Sequence, residues 1–154
     1  KPFLNNQTQL HFNVSHSNDY AIFGFAHSQS IGIDLERLQP GINSNHLEYR
    51  IFSSYELGQL QQLPQNQRAA AFFTGWTRKE AVLKAHGEGL MIPPDQVVVT
   101  IRPEDPPKLI EGPWDPPNSQ QWSLYSFYPY EGYIGSVAVE GTLENIEFMP
   151  PTLG

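Results

Sequence analysis

One stretch, from about Asn66 to His86, does most to limit what this chain can fold into. Arg68-Ala69-Ala70-Ala71-Phe72-Phe73 and Ala81-Val82-Leu83 favour helix, and Gly87 is a suitable stop. A single long helix is expected, and the segments around it read as the sheet it lies on. Residues 11–15, 20–26 and 30–36 predict three strands of a meander, with Ser17-Asn18-Asp19 and His27-Ser28-Gln29 in the turns. Residues 37–45, with Pro40 and Gly41, predict a loop, and 46–51 a short helix. Ser53 and Glu56 match a capping box that opens a helix running to about Leu63. Residues 96–101 predict a fourth strand, whereas 103–118 hold six of the 14 prolines and predict an irregular loop. Residues 121–128 and 132–139 alternate with aromatics and predict two more strands around a turn at Tyr130-Glu131-Gly132. The last fifteen residues read as an extended tail. The fold class expected is α+β, an antiparallel sheet packed against a long helix.

Ile31, Ile33 and Leu35 alternate with Gly32, Asp34 and Glu36. On a strand, residues two apart share a face. The apolar set is expected to pack inward, with Asp34 and Glu36 side by side on the other face and Gly32 leaving it open. Adjacent carboxylates repel and raise one another's pKa unless a cation lies between them. A hard divalent ion with oxygen ligands suits such a pair, and magnesium is usually held by one or two carboxylates plus substrate phosphates. The plain alternative is a strand end with a solvated acidic pair.

On the long helix Trp76, Glu80 and Lys84 recur at i, i+4 and i+8 and share a face, with Lys79 one position to the side. A surface Glu80–Lys84 contact would be worth a few tenths of a kcal/mol. An indole on the same stripe implies that the stripe is partly buried. Glu80 and Lys84 then need partners, which Asp34 and Glu36 with a metal, and an anionic substrate, would supply. His11, His27, His46 and His86 share no metal-ligand spacing and read as structural or exposed. Trp114 and Trp122 read as packing residues.

Three blocks together resemble the surfactin-synthetase type of 4'-phosphopantetheinyl transferase. They are Phe12-Asn13-Val14-Ser15-His16-Ser17, Ile31-Gly32-Ile33-Asp34-Leu35-Glu36, and Phe73 through Lys84 with Trp76, Lys79, Glu80 and Lys84 in place. Gly87-Glu88-Gly89-Leu90, followed by Pro93, is similar to the segment after that family's long helix, although Glu88 is acidic where a phosphate end is expected. The resemblance implies transfer of the 4'-phosphopantetheine arm of coenzyme A to a serine of an acyl or peptidyl carrier protein, releasing 3',5'-ADP. It implies magnesium on Asp34, Glu36 and Glu80, with Glu80 or a metal-bound water as the base for the attacking serine. It implies phosphate contacts from Lys79 and Lys84, and contact of His16, with Ser15 beside it, to the 3'-phosphate of coenzyme A. It further implies that the fold is one of two pseudo-repeated halves. Residues 1–10 are then expected to be a crossing segment from an N-terminal half, 11–140 the C-terminal subdomain, and 141–154 a tail. That N-terminal half would carry the basic residues that grip the rest of coenzyme A.

Bulk properties are compatible with this. A chain of 154 residues with a 39% apolar fraction can form one modest core. It has no run of 18 apolar residues, so no membrane span is expected, and no cysteine, so no disulfide or thiolate chemistry. A cytoplasmic location fits. The net charge of −7 argues against a nucleic-acid partner and against a broad basic docking surface. Two other functions use the same residues: a magnesium-dependent hydrolase of a pyrophosphate compound, and a non-catalytic module that binds carrier protein or coenzyme A.

Overall fold

The computed structural model describes residues 9–39, 47–87, 91–114 and 122–150. Most of the crossing segment 1–10, Pro40, Gly41, His46, Glu88 and the end of the tail, 151–154, lie outside the described residues. In chain order the elements are β1 (Leu10–Ser17), β2 (Tyr20–His27), β3 (Ile31–Arg37), α1 (Glu48–Ile51), α2 (Ser54–Gln62), α3 (Gln65–His86), β4 (Val98–Val99), β5 (Leu109–Glu111), β6 (Trp122–Phe127) and β7 (Tyr133–Glu140). The long helix is present, and Gly87 closes it in the left-handed conformation, its N–H donating to the Leu83 carbonyl. The capping box on α2 is also formed: Glu56 N–H donates to Ser53 Oγ, and Ser53 N–H to Glu56 Oε2. No helix among the described residues is long and apolar enough to cross a membrane.

The expected meander is corrected by the structure. β1 and β2 form a hairpin, turned at Asn18 with positive φ, but β3 pairs with β7 in an antiparallel sheet ordered β3-β7-β6. β1 still lies along β3, joined through side chains. Ile33 N–H donates to Asn13 Oδ1 (2.9 Å), Leu35 N–H to Ser15 Oγ (3.0 Å) and Arg37 N–H to Ser17 Oγ (3.1 Å). Three alternate side chains of β1 thus supply the acceptors that a neighbouring strand's carbonyls would. This satisfies one edge of β3 without a backbone ladder.

Two cores lie on the two faces of the β3-β7-β6 sheet. One face carries Leu124, Ile134 and Ala138 under α3. The other carries Ile31, Ile33, Phe127, Val137 and Val139, covered by Ile22 and Ala26 of the hairpin and by Leu143 and Ile146 of the tail. The tail is therefore docked, and Phe148 also packs its ring on Phe127 at 5.2 Å between centroids. The expected fourth strand shortens to Val98–Val99 behind a 3-10 turn at Pro94–Gln96. It pairs with Leu109–Glu111, a strand inside the proline-rich stretch that was expected to be irregular. β1 and β2 leave an apolar outer face, where Phe23 and Phe25 are 60% and 61% exposed and Phe12 stacks on Phe25.

Candidate functional site

β3 has no solvent face. Gly32, Asp34 and Glu36 lie on the side covered by α3, and Ile31 through Leu35 are all buried. The reason is Gly32. A side chain there would collide with the Ala81 carbonyl and the Ala85 amide, so only glycine lets the helix backbone come down on the strand. Ser30 supports the crossing by donating its hydroxyl to the Ala85 carbonyl. The expectation that Gly32 leaves an open acidic face is corrected: the face is roofed, and the roof is the stripe of α3 that carries Trp76, Glu80 and Lys84.

The contacts follow from that crossing. Lys84 Nζ donates to Asp34 Oδ1 and to the Ile33 carbonyl, both at 3.0 Å. Trp76 Nε1 donates to Glu36 Oε1 at 3.3 Å. Ser15 Oγ donates to Asp34 Oδ1, also at 3.3 Å, while accepting from Leu35 N–H. Asp34 Oδ2 is buried without a partner. Burial pushes the Asp34 carboxyl up, against the pull of Lys84 and Ser15. Burial, and then the neighbouring charge of Asp34, push Glu36 up to about 7. Glu80 is raised as well, by burial first and Asp34 second, with Lys84 opposing. Three half-buried to buried carboxylates thus share one lysine, and the deficit of positive charge lies among them.

That deficit, the hard oxygen donors and the orphaned Asp34 Oδ2 suit a divalent cation of the magnesium type. Among the described residues, no three His, Cys, Asp or Glu side chains converge closely enough to hold a metal as they stand. Loading would require side-chain adjustment of Glu36 or Glu80.

Two further residues of the expected set make other contacts or face another way. His16 is exposed on the face of β1 turned away from β3, since Asn13, Ser15 and Ser17 alternate with it and face β3. Lys79 is fully buried, with Nζ 2.6 Å from Glu56 Oε2 and donating to the Val97 and Pro94 carbonyls. In that placement the ammonium is tied up on the flank of α3 away from Lys84. Burial draws Lys79 below its ordinary pKa, and Glu56 opposes this.

Other contributors were missed from sequence. Arg78 is buried and ties α3 to the loop beyond β4, donating to the Thr100 carbonyl (2.6 Å), Thr100 Oγ1, the Asp105 carbonyl and Ser126 Oγ. Burial lowers it to about 10, with Tyr128 and Asp105 opposing. Thr77 shares a buried hydroxyl bond with Ser136 of β7 at 2.9 Å. Trp114 and Trp122 pack as expected, beside His86. Trp76, read only as a marker of burial, also orients Glu36.

Comparison with known proteins adds to this geometry. Residues 30–138 match the family model described as the 4'-phosphopantetheinyl transferase superfamily. The chain is 35% identical over 144 residues to the 4'-phosphopantetheinyl transferase HetI of a Nostoc species, a match covering 92% of this chain and 57% of that protein. It is 35% identical over 101 residues to the 4'-phosphopantetheinyl transferase Sfp of Bacillus subtilis, covering 66% and 44%. The chain spans about half the length of the curated relatives it matches. Among solved structures, the ACPS–CoA complex from Chronobacterium ammoniagenes superimposes with a TM-score of 0.51 at 16% identity, covering 75% of this chain and 98% of that one. The holo-[acyl-carrier-protein] synthase of Thermotoga maritima gives a TM-score of 0.52 at 17% identity, covering 74% and 64%. At those identities the structural likeness speaks for the fold.

Proposed function

We propose that this chain, which belongs to the 4'-phosphopantetheinyl transferase superfamily, carries the acidic part of a site that moves 4'-phosphopantetheine from coenzyme A to a serine of an acyl or peptidyl carrier protein. The observation that supports this most is the meeting of Asp34, Glu36, Glu80 and Lys84 beneath α3 at Gly32. Asp34, Glu36 and Glu80 would hold magnesium, which when bound supplies charge stabilisation to pyrophosphate oxygens. The remaining tasks fall to side chains of the chain itself. Lys84 neutralises Asp34 from one side, and its ammonium would stabilise the phosphate charge that develops in the reaction. Trp76 fixes the orientation of Glu36.

Burial and then Asp34 raise Glu80 above its ordinary pKa, a direction that a bound cation would oppose. Glu80 is proposed to take the proton of the carrier serine, directly or through a water. The serine oxygen bonds to the β-phosphorus as the bond from that phosphorus to the bridging oxygen breaks, and 3',5'-ADP leaves with that oxygen. The grip on the adenine and 3'-phosphate is assigned to His16 with a further α/β half, as the family resemblance implies. The division into residues 1–10, 11–140 and 141–154 and a cytoplasmic location belong to the same proposal. The hydrolase and non-catalytic readings find no support among the relatives described above.

Intact-mass spectrometry of an apo carrier protein incubated with this chain, coenzyme A and magnesium tests the reading. A gain of roughly one phosphopantetheine group, absent with Glu80→Gln, is expected. No gain would overturn the view that this chain suffices. No gain once a further α/β half has been restored would overturn the transferase reading itself.

A further inference from the structure

Glu56 and Lys79 form a fully buried ion pair at 2.6 Å. Every polar atom in it is used. Glu56 accepts from Ser53 N–H and from Val99 N–H, both at 2.8 Å, in addition to the ammonium. Lys79 donates to Glu56, to the Val97 carbonyl (2.6 Å) and to the Pro94 carbonyl (3.0 Å), which accounts for all three of its protons. The Phe52 ring closes the remaining side, 5.4 Å from Nζ. No donor is left for a phosphate, and withdrawing the ammonium towards one would strand a carboxylate in the core.

The pair joins α2, α3, the 3-10 turn at Pro94–Gln96 and the entry to β4 at a single point. Lys79 immediately precedes Glu80, and a helix turns about 100° per residue as a stiff body. Holding Lys79 on one flank therefore sets the rotation at which Glu80, Trp76 and Lys84 meet β3. At that rotation Trp76 bonds to Glu36 and Lys84 to Asp34.

We propose that Glu56 is a positioning residue for the carboxylate site, and that Lys79 serves the site only through it, as the two ends of a buried latch that fixes the rotation of α3. This rests on the transferase reading for its kinetic consequence, but the latch itself has a readout that needs no substrate. The indole N–H of Trp76 bonds to Glu36 across the helix–strand contact, so its NMR resonance reports the rotation of α3 directly.

The experiment is a charge cycle in the full chain: Lys79→Met, Glu56→Gln, and both together. Lys79→Met leaves a buried carboxylate unpaired and Glu56→Gln an unpaired ammonium, whereas the double variant leaves neither. Each single variant is expected to lower the thermal midpoint, shift the Trp76 indole resonance and reduce kcat. The double variant is expected to recover most of all three. KM for coenzyme A should stay within about threefold of the parent throughout, because no substrate contact is lost. A rise of about tenfold or more in that KM in Lys79→Met and the double variant alike, with the Trp76 resonance unmoved, would overturn the proposal. A parent chain that does not turn over coenzyme A even with a further α/β half restored would sink the transferase reading instead. The latch would then be decided by the indole resonance, and an unmoved resonance in Lys79→Met would refute it.

Discussion

Burial and the adjacent charge of Asp34 raise the Glu36 carboxyl from 4.5 to about 7. The folded chain then keeps a proton on Glu36 that the unfolded chain releases, so between those two values the native state binds more protons. Stability from this group is complete below 4.5 and is lost as pH rises towards and through 7. Thermal melts at pH 5 and pH 8 without divalent cations should show the lower midpoint at pH 8, and Glu36→Gln should flatten that slope. A slope of the same size in the variant would place the effect elsewhere. Gly32 makes a second residue-scale prediction. Alanine there would drive a methyl group into the Ala81 carbonyl and Ala85 amide, which cannot move without the helix. The expected loss is about 3 kcal/mol, read by urea denaturation, together with loss of the Lys84–Asp34 contact. The acidic pair and the Trp76–Glu80–Lys84 stripe were legible as residues, because strand and helix periods dictate which side chains share a face. The fate of Lys79 was not legible, because its partner, Glu56, comes from a different helix.

At the scale of elements, the seam between β1 and β3 is the unusual one. Its rungs are side-chain acceptors at Asn13, Ser15 and Ser17. Asn13 is buried, and Asn13→Ala would leave the Ile33 N–H unsatisfied in the core, at a cost of about 1–3 kcal/mol. The outer rung differs, since the Ser17 bond is exposed and water can replace it. Ser17→Ala should therefore change stability by less than about 0.5 kcal/mol. Equal losses in the two variants by chemical denaturation would argue against a graded seam. Strand positions, the capping box at Ser53 and Glu56, and the stop at Gly87 could all be read locally. The replacement of the meander by a β3-β7 pair could not. Ile31 meets Val139 and Arg37 meets Tyr133 across about a hundred residues, and local alternation carries no record of which strand lies alongside.

At the scale of the whole molecule, the described residues include an apolar surface on the outer face of the β1–β2 hairpin, where Phe23 and Phe25 stand exposed near Phe12 and Leu10. Such a patch should bind a hydrophobic dye in the native state. Joint replacement Phe23→Ser and Phe25→Ser should reduce the dye fluorescence severalfold with little change in the melting midpoint; unchanged fluorescence would show that the dye reports some other surface. By itself the sequence determined the α+β class, the long helix, most of the strands, and the residue types able to hold a divalent cation. Those follow from periodicity, capping and chemistry that act over a few residues. Tertiary structure alone decided that α3 descends on Gly32 and roofs the carboxylates, that Lys84 reaches Asp34 while Lys79 is taken by Glu56, and that His16 faces away from β3. Each depends on which distant backbones touch, and only close packing settles that.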